Sequence, residues 1–253
     1  RPGSNHNRTR EAGGAGNGAA RSEGHIGDTM DYTFQFGQVW PYLPYLISGA
    51  WLSLQIAFLA FCGGILIGTF CAAIKSFGGK ITKRVVNVYV VFFVNTPQLV
   101  QIYFLYFALP DYGVFLSPYM AVLLGMTLNA GAYLTEIQRA GFESRRQSEM
   151  EAAEVLGFTR LQQIRYVILP HIAKVLFPPL SNHYILMTLG TSMAAIFGVE
   201  ELTGRAMNVN SETFRSLEVF SIIAVVYVVV TLFASVALAL FGRLAFRAKT
   251  RVV

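Results

Sequence analysis

Five long apolar segments, separated by polar and charged links, dominate the pattern of this sequence. They cover residues 46–74, 85–109, 118–138, 175–199 and 219–246. A helix needs about 20 mainly apolar residues to cross the hydrocarbon core of a bilayer, and each segment is long enough. The fourth segment has Pro178 and Pro179 near its start and is interrupted by Gly190, so its helix should be the least regular. The pattern predicts an all-α membrane protein with five transmembrane helices.

The composition agrees with this prediction. The chain has 253 residues, of which 54% are hydrophobic and 13% are charged. Soluble domains typically carry about 25% charged residues. The length corresponds to one domain, which we place at residues 46–247.

Lysine and arginine are concentrated in alternate links, and this distribution predicts the orientation of the chain. The first link contains Lys75, Lys80, Lys83 and Arg84, the third contains Arg139, Arg145, Arg146, Arg160, Arg165 and Lys174, and the C-terminal end contains Arg243, Arg247, Lys249 and Arg251. We therefore expect the loop 139–174 and the tail 248–253 to be cytoplasmic and the N-terminus to be outside. The formal net charge of +6 follows from this topology and does not favour nucleic-acid binding.

The N-terminal region breaks the pattern. Residues 1–29 are rich in Gly, Ala, Asn, Ser and Arg and contain few apolar residues, so we expect them to be disordered. Met30 would make a natural start, and the preceding residues are then an upstream extension or an artificial leader. Residues 30–45 include Trp40, Tyr42 and Tyr45, which predicts a segment at the outer membrane interface.

The third link contains a predicted helical hairpin. Residues 149–156 are good helix formers, and Gly157 permits the left-handed conformation that often ends a helix. A second amphipathic run at 161–168 leads to Pro170, where we expect a break. Such a hairpin, with small residues at its tip, suits docking into a groove on another protein. An ordinary surface hairpin is the alternative.

No catalytic constellation is present in the sequence. The four histidines are scattered, and Gly78-Gly79-Lys80-Ile81 lacks the spacing and the hydroxyl of a nucleotide-binding loop. We predict no enzyme activity, no metal site and no cofactor in this chain, so a process that needs ATP must take it from a partner. Gly64 and Gly68 form a GxxxG pattern that permits close helix contact, with exposure to lipid as the alternative.

Several motifs, in the same order along the chain, resemble those of polar amino-acid ABC importer permeases. The third link has their E-A-A segment, its glycine and the following I-L-P: Glu151, Ala152, Ala153, Gly157, Ile168, Leu169 and Pro170. N-T-P-Q-L-V-Q at 95–101, N-A-G-A-Y-L-T-E-I at 129–137, P-P-L-S-N at 178–182, T-S-M-A at 191–194 and T-F-R at 213–215 are similar to further family motifs. The resemblance covers about residues 46–247.

The resemblance implies a type I ABC importer permease fold with a cytoplasmic coupling helix, in the bacterial inner membrane. It also implies a second permease chain, identical or paralogous, and two ATPase subunits that carry ATP and Mg on the inside. A periplasmic solute-binding protein would deliver a polar amino acid or a related solute such as an opine. Asn95 stands where the family usually has Gly, and Leu189-Gly190 replaces a common Lys-Asp pair. Either departure could change the solute preference.

Polar residues inside the spans are candidates for the solute pathway, because such residues usually face a partner helix or a water-filled cavity. Asn129, Tyr133 and Glu136 share one helix face at i, i+4 and i+7. Glu136 is close to Arg139, so a structural ion pair is the favoured alternative for it. Thr191 and Ser192 lie beside Gly190 and are further candidates, although their hydroxyls could bond to their own helix. For three other polar residues, a role in stabilising helix contacts is favoured over solute binding: Asn95, Gln98 and Gln101.

The sequence is compatible with two alternative functions. A secondary carrier or channel driven by an ion gradient usually shows internal repeats and an ion site at the membrane midplane. We find no such repeat, and Glu136 is the one acidic residue in a predicted span. A membrane anchor or assembly protein would show no solute-dependent response, and the polar face around Asn129 argues mildly against it.

Overall fold

The computed structural model describes residues 32–144 and 147–246, with the backbone alone for Gln147. These residues form helices and turns, without a strand. The α-helices are α1 (Leu43–Phe77), α2 (Lys80–Asn95), α3 (Gln98–Tyr103), α4 (Pro118–Glu143), α5 (Gln147–Val155), α6 (Arg160–Gln163), α7 (Leu169–Gly190), α8 (Leu202–Thr213) and α9 (Ser216–Phe246). The predicted all-α class is confirmed. The expectations for residues 1–29, 145–146 and 247–253 lie outside the described residues.

Short helical turns of other geometry connect several of these helices. Two 3₁₀ turns (Phe36–Gln38 and Trp40–Tyr42) precede α1, and a π turn (Phe104–Ala108) and a 3₁₀ turn (Leu109–Tyr112) follow α3. A second π turn (Ile164–Ile168) joins α6 to α7, and a 3₁₀ segment (Thr191–Phe197) follows α7. The chain is therefore nearly continuously helical from Arg160 to Phe197.

Among the described residues, three helical stretches are long and apolar enough to cross a membrane alone: Phe36–Phe77, Pro118–Glu143 and Ser216–Phe246. Two bent pairs also qualify if each pair counts as one span. Lys80–Asn95 and Gln98–Tyr112 meet at 106°, and Arg160–Phe197 and Leu202–Thr213 meet at 46°. The predicted number of five spans corresponds to counting both pairs, and it stays a prediction.

The second apolar segment is not the single helix expected over 85–109. Thr96 and Pro97 both have extended backbone, with ψ angles of 139° and 131°, and they separate α2 from α3. The ring of a proline disfavours the helical conformation of the residue before it, so Pro97 forces Thr96 out of the helix. The chain turns sharply at this point.

The break expected at Pro170 is also absent, and this prediction was wrong. The chain stays helical through Pro170, which occupies the first turn of α7. The preceding turn is a π turn, in which the amide of Leu169 donates to the carbonyl oxygen of Ile164. The wider turn accommodates the missing amide and the ring of the proline, as π turns commonly do inside helices.

α4 lies at the centre of the packing, and its main partner is α1. Gly64 and Gly68 of α1 lie directly against it: a Cβ atom on Gly64 would be 2.7 Å from the Cβ of Ala130, and one on Gly68 would be 2.9 Å from the Cβ of Leu134. The GxxxG pattern therefore brings two helices of the same chain together. A buried apolar cluster from α1, α3, α4, α7 and the 3₁₀ segment surrounds this contact.

A second buried cluster joins the start of α1 to α8 and α9. Glu201 precedes Leu202 of this cluster and has no exposed surface. Its carboxyl oxygens accept hydrogen bonds from the amides of Thr203 and Gly204, at 2.8 and 3.0 Å, and thereby cap α8. They also accept from the hydroxyls of Ser53, at 2.9 Å, and Tyr227, at 3.0 Å. One acidic side chain thus connects α1, α8 and α9.

Candidate functional site

A cavity of about 510 Å³ lies beside the break between α2 and α3. Its volume is within the range of about 300–1,000 Å³ that is usual for small-molecule sites. The walls come from the break itself, from the middle of α4 and from α7. They are formed by Val94, Asn95, Thr96, Pro97, Gln98, Met126, Asn129, Ala130, Tyr133, His183, Leu186 and Met187.

The backbone at the break needs hydrogen-bond donors from side chains, because the last carbonyl groups of α2 have no partner in their own helix. The carbonyl oxygen of Phe92 accepts from the hydroxyl of Thr96 at 2.8 Å. That of Phe93 accepts from the Gln101 amide at 2.9 Å and from the Asn129 amide at 3.1 Å. An unsatisfied carbonyl group at membrane depth costs several kcal/mol. These side-chain donors therefore stabilise the non-helical backbone at the break.

Asn129 and Tyr133 act from α4 on this break, and both also line the cavity. The Asn129 amide donates to Phe93 and, at 3.2 Å, to the side-chain oxygen of Gln101. The Tyr133 hydroxyl donates to the carbonyl oxygen of Val94 at 3.4 Å. The two side chains therefore position irregular backbone at the cavity wall, which is where irregular backbone is tolerated within membranes.

Glu136 lies one turn further along α4 and does not line this cavity. It forms salt bridges with Lys75 of α1 and with Arg139, whose guanidinium is 2.9 Å away. Arg139 also pairs with Glu143 at 2.7 Å. The contacts of Glu136 are thus those of the structural ion pair.

Thr191 and Ser192 are likewise absent from the cavity wall. The hydroxyl of Thr191 donates to the carbonyl oxygen of Thr188 at 2.8 Å, and that of Ser192 donates to that of Leu189 at 2.9 Å. Both hydroxyls bond to their own helix, which was the alternative left open by the sequence.

Sequence reasoning did not place His183 or Thr96 at the site. Asn95 and Gln98, for which the sequence favours a role in helix contacts, also line the cavity. The Thr-Pro dipeptide is a recognisable signal of a helix break. No comparable signal marks His183, because only the packing of α7 against α4 brings it beside Tyr133.

The predicted hairpin forms a second feature of interest. α5 ends at Val155, and Gly157 adopts the left-handed conformation with φ = 76°. Its amide donates to the carbonyl oxygen of Glu154 at 2.9 Å, and the amide of Phe158 donates to that of Ala153 at 3.0 Å. These two bonds close the end of α5 as glycine-terminated helices commonly do.

A capping box fixes the second arm of the hairpin. The hydroxyl of Thr159 accepts from the backbone amide of Gln162, whose side-chain oxygen accepts in return from the Thr159 amide at 2.8 Å. His171 ties the hairpin to the rest of the chain, since its ring nitrogens lie 3.6 Å from a carboxyl oxygen of Glu149 and 3.2 Å from the carbonyl oxygen of Ser144.

The tip of the hairpin exposes apolar side chains. Val155 is 88% exposed, Leu156 is 73% exposed and Leu161 is 76% exposed. Of the E-A-A segment, Glu151 and Ala152 are exposed and Ala153 is buried. Of the I-L-P run, Ile168 is half-buried, whereas Leu169 and Pro170 are exposed. Exposed large apolar side chains that are grouped in one hairpin commonly mark a protein-binding surface.

Comparison with known proteins places these features in context. Residues 64–247 match the sequence model of the family described as "Binding-protein-dependent transport system inner membrane component". The chain is 37% identical over 204 residues to the glutamine transport system permease protein GlnP of Escherichia coli (strain K12), covering 80% of this chain and 93% of that protein. It is 30% identical over 200 residues to the octopine transport system permease protein OccM of Rhizobium radiobacter, covering 76% and 82%.

Solved structures give a similar result. The crystal structure of an amino acid ABC transporter with histidines contains a chain that matches with a TM-score of 0.77 and 35% identity, over 84% of this chain and 99% of that one. The MetNI methionine ABC transporter, in inward-facing conformations, matches with a TM-score of 0.63 and 19% identity, over 80% and 97%. At that identity the second match supports the fold alone.

Proposed function

Because the chain belongs to the family of binding-protein-dependent transport system inner membrane components, as the permease subunit of an amino-acid ABC importer, we propose that it moves a polar amino acid or a related solute such as an opine across the bacterial inner membrane. The family resemblance found in the sequence motifs is confirmed. The chain itself does not hydrolyse ATP in this proposal. Its partner ATPase subunits bind ATP and Mg and supply the energy.

The solute passes through the cavity beside the break between α2 and α3. Asn129 and Tyr133 stand in its wall together with the amides of Asn95 and Gln98. These groups offer donors and acceptors at membrane depth, where an amino acid needs replacements for its bound water. We leave Glu136, Thr191 and Ser192 out of the solute contacts in this proposal, since their polar groups bond elsewhere.

The hairpin of α5 and α6 couples this movement to the ATPase. The observation that carries this assignment is the apolar tip of Val155, Leu156 and Leu161, which the described residues leave uncovered. The hydrogen bonds at Gly157 and Thr159 fix the shape of the tip before any partner binds, and such preorganisation lowers the cost of binding. The exposed Glu151 and Ala152 and the run from Ile168 to Pro170 flank the tip and belong to the same coupling surface.

The remaining partners follow from the family. Two permease chains, identical or paralogous, pair around the translocation path, and a periplasmic solute-binding protein delivers the solute from outside. The hairpin and the C-terminus face the cytoplasm, and the N-terminus is outside, in keeping with the distribution of lysine and arginine. ATP-driven closure of the ATPase dimer then shifts the population of the permease between inward- and outward-facing states through its differential contact with the hairpin.

The test is co-purification of the chain from its native membrane, with identification of bound proteins by mass spectrometry. We expect an ATPase subunit to be recovered with the unmodified chain and to be lost with Leu156→Asp and Leu161→Asp combined. Val114→Asp is the matched control, because Val114 is also an exposed apolar residue but lies before α4, away from the hairpin. A chain that purifies without an ATPase, or a complex that survives the hairpin variant unchanged, would refute the proposed coupling surface.

A further inference from the structure

One residue that lines the cavity has a buried polar atom without a hydrogen-bond partner among the described residues. Three buried side-chain atoms of the described residues lack a partner, on Ser76, Ser181 and His183, and of these residues only His183 lines the cavity. The atom is the ring nitrogen Nε2. A buried polar group without a partner is uncommon in native proteins and calls for a functional explanation.

The imidazole of His183 packs against a neighbouring aromatic ring. The ring lies against that of Tyr133, with centroids 5.7 Å apart and an interplanar angle of 33°. Nε2 is covered in this structure. For Nε2 to reach a molecule in the cavity, the ring has to turn about its Cβ–Cγ bond, a torsion with a broad profile in histidine. The imidazole can then form a hydrogen bond with a molecule in the cavity.

The cavity wall carries no formal charge. Among the described residues that line it there is no Asp, Glu, Lys or Arg. The polar groups are the amides of Asn95, Gln98 and Asn129 and the side chains of Thr96, Tyr133 and His183. A solute side chain with a net charge would lose hydration here without meeting an opposite charge, and such transfer is costly.

We propose that this cavity selects amino acids whose side chain is polar but uncharged, and that His183 is the specificity-determining residue that hydrogen-bonds to that side chain. A neutral imidazole has one donor and one acceptor, as a primary amide has both kinds of group. The inference rests on the proposed function, because it assumes that the solute occupies this cavity during transport. It adds the chemical class of the solute and the residue that recognises it.

The test reads occupancy of the cavity directly, without the solute-binding protein. Cys62 and Cys71 are first replaced by Ala, and Leu186→Cys then places a thiol on the cavity wall at an exposed position. The rate at which a methanethiosulfonate reagent modifies this thiol is measured in the purified permease–ATPase complex. The probes added are L-glutamine, L-asparagine, L-arginine, L-glutamate and L-leucine. Leu189→Cys is the matched control, since Leu189 is exposed on the same helix but does not line the cavity.

We expect L-glutamine or L-asparagine to slow modification of the thiol at position 186, and L-arginine, L-glutamate and L-leucine to require at least about 10-fold higher concentration for the same effect, as the loss of one well-formed hydrogen bond implies. No probe should slow modification at position 189. His183→Leu should remove the difference between L-glutamine and L-leucine, whereas His183→Gln, which keeps a donor and an acceptor, should retain it.

ATP-dependent uptake of tritiated L-glutamine into proteoliposomes, with the solute-binding protein present, is measured on the same preparations. One possible outcome is ATP-dependent uptake together with protection of the thiol at position 186 that is as strong with L-arginine or L-glutamate as with L-glutamine. This outcome would overturn the inference and leave the proposed function intact. Uptake without protection by any probe would also overturn the inference, because the solute would then bypass this cavity. Uptake of the other four probes is measured in the same way with each probe tritiated, and absence of ATP-dependent uptake of all five would overturn the proposed function together with the inference.

Discussion

The side-chain amide of Asn129 on α4 donates a hydrogen bond of 3.1 Å to the main-chain carbonyl oxygen of Phe93, near the end of α2. The two residues are 36 positions apart in the chain. This bond connects the helix at the centre of the fold to the backbone of the helix break. A polar residue that the sequence nominates for solute contact is therefore also part of the framework that shapes the cavity.

We expect Asn129→Leu to destabilise the protein by about 1–3 kcal/mol and to reduce uptake, because the carbonyl oxygen of Phe93 and the side-chain oxygen of Gln101 each lose a donor. Thermal unfolding of the purified complex and uptake into proteoliposomes measure the two effects. Thr127→Val is the control, since the Thr127 hydroxyl bonds only to Leu123 of its own helix. Equal stability of the two variants would show that the hydrogen bonds of Asn129 at the break do not contribute to the stability of the protein.

The contact of α1 with α4 depends on the absence of a side chain at Gly64. We expect Gly64→Ala to cost about 1–3 kcal/mol of stability, because its Cβ would lie 2.7 Å from that of Ala130 and the helices must separate. Leu66→Ala, at a position 73% exposed on the same helix, should change stability by less than about 0.5 kcal/mol. Thermal unfolding in detergent compares them, and a larger loss for the Leu66 variant would contradict the assignment of the contact face.

Loss of the Glu201 side chain should be among the most damaging single substitutions in this chain. Glu201→Leu removes the acceptor of the Thr203 and Gly204 amides at the start of α8. The hydroxyls of Ser53 and Tyr227 lose the same acceptor and keep only the Gly49 carbonyl and the Thr203 hydroxyl as acceptors. Since each unsatisfied buried group costs about 1–3 kcal/mol, we expect a loss of more than about 3 kcal/mol, seen as a lower unfolding temperature and poor recovery from membranes. The neighbouring exposed Glu200→Gln serves as the control and should be nearly neutral. A stable Glu201→Leu protein would refute the structural role.

Removal of the ion pair between Lys75 and Glu136 should have little effect. The Glu136 side chain is 36% exposed and that of Lys75 is 16% exposed, and ion pairs that stay partly exposed contribute about 0–1 kcal/mol. We therefore expect Glu136→Gln to lower stability by at most about 1 kcal/mol and to retain solute uptake. Loss of uptake with unchanged stability would instead indicate that Glu136 contacts the solute. A double-mutant cycle with Lys75→Met separates the contribution of the pair from that of each residue.

Gly157 should tolerate residues according to their backbone preference. Its φ of 76° is incompatible with proline, which also lacks the amide that bonds to Glu154, so Gly157→Pro should abolish ATP-driven uptake while leaving membrane insertion intact. Gly157→Asn should retain most uptake, because asparagine visits the left-handed region and a Cβ at this position would meet no atom within 4 Å. Uptake and ATPase activity are measured on both variants. Full activity of the proline variant would mean that the shape of the hairpin tip is not needed for coupling.

The sequence determined the features that depend on local composition and short motifs. The apolar segments indicated an all-α membrane protein, because membrane depth permits few other structures for such a chain. The left-handed residue at Gly157 and the helix before it followed from short-range backbone preferences, and the structure contains both. The ordered motifs identified the family, since each motif is read directly from neighbouring residues.

Only the tertiary structure decided what each polar residue of the spans contacts. Asn129 and Glu136 share a helix face in sequence, yet one reaches the broken backbone near the end of α2 and the other reaches Lys75 near the end of α1. Pro97 breaks its helix and Pro170 does not, since a π turn accommodates the second proline. The place of His183 beside Tyr133 comes from the packing of two helices distant in sequence. Periodicity predicts which residues share a face, whereas the partner of that face is set by the packing of the whole chain.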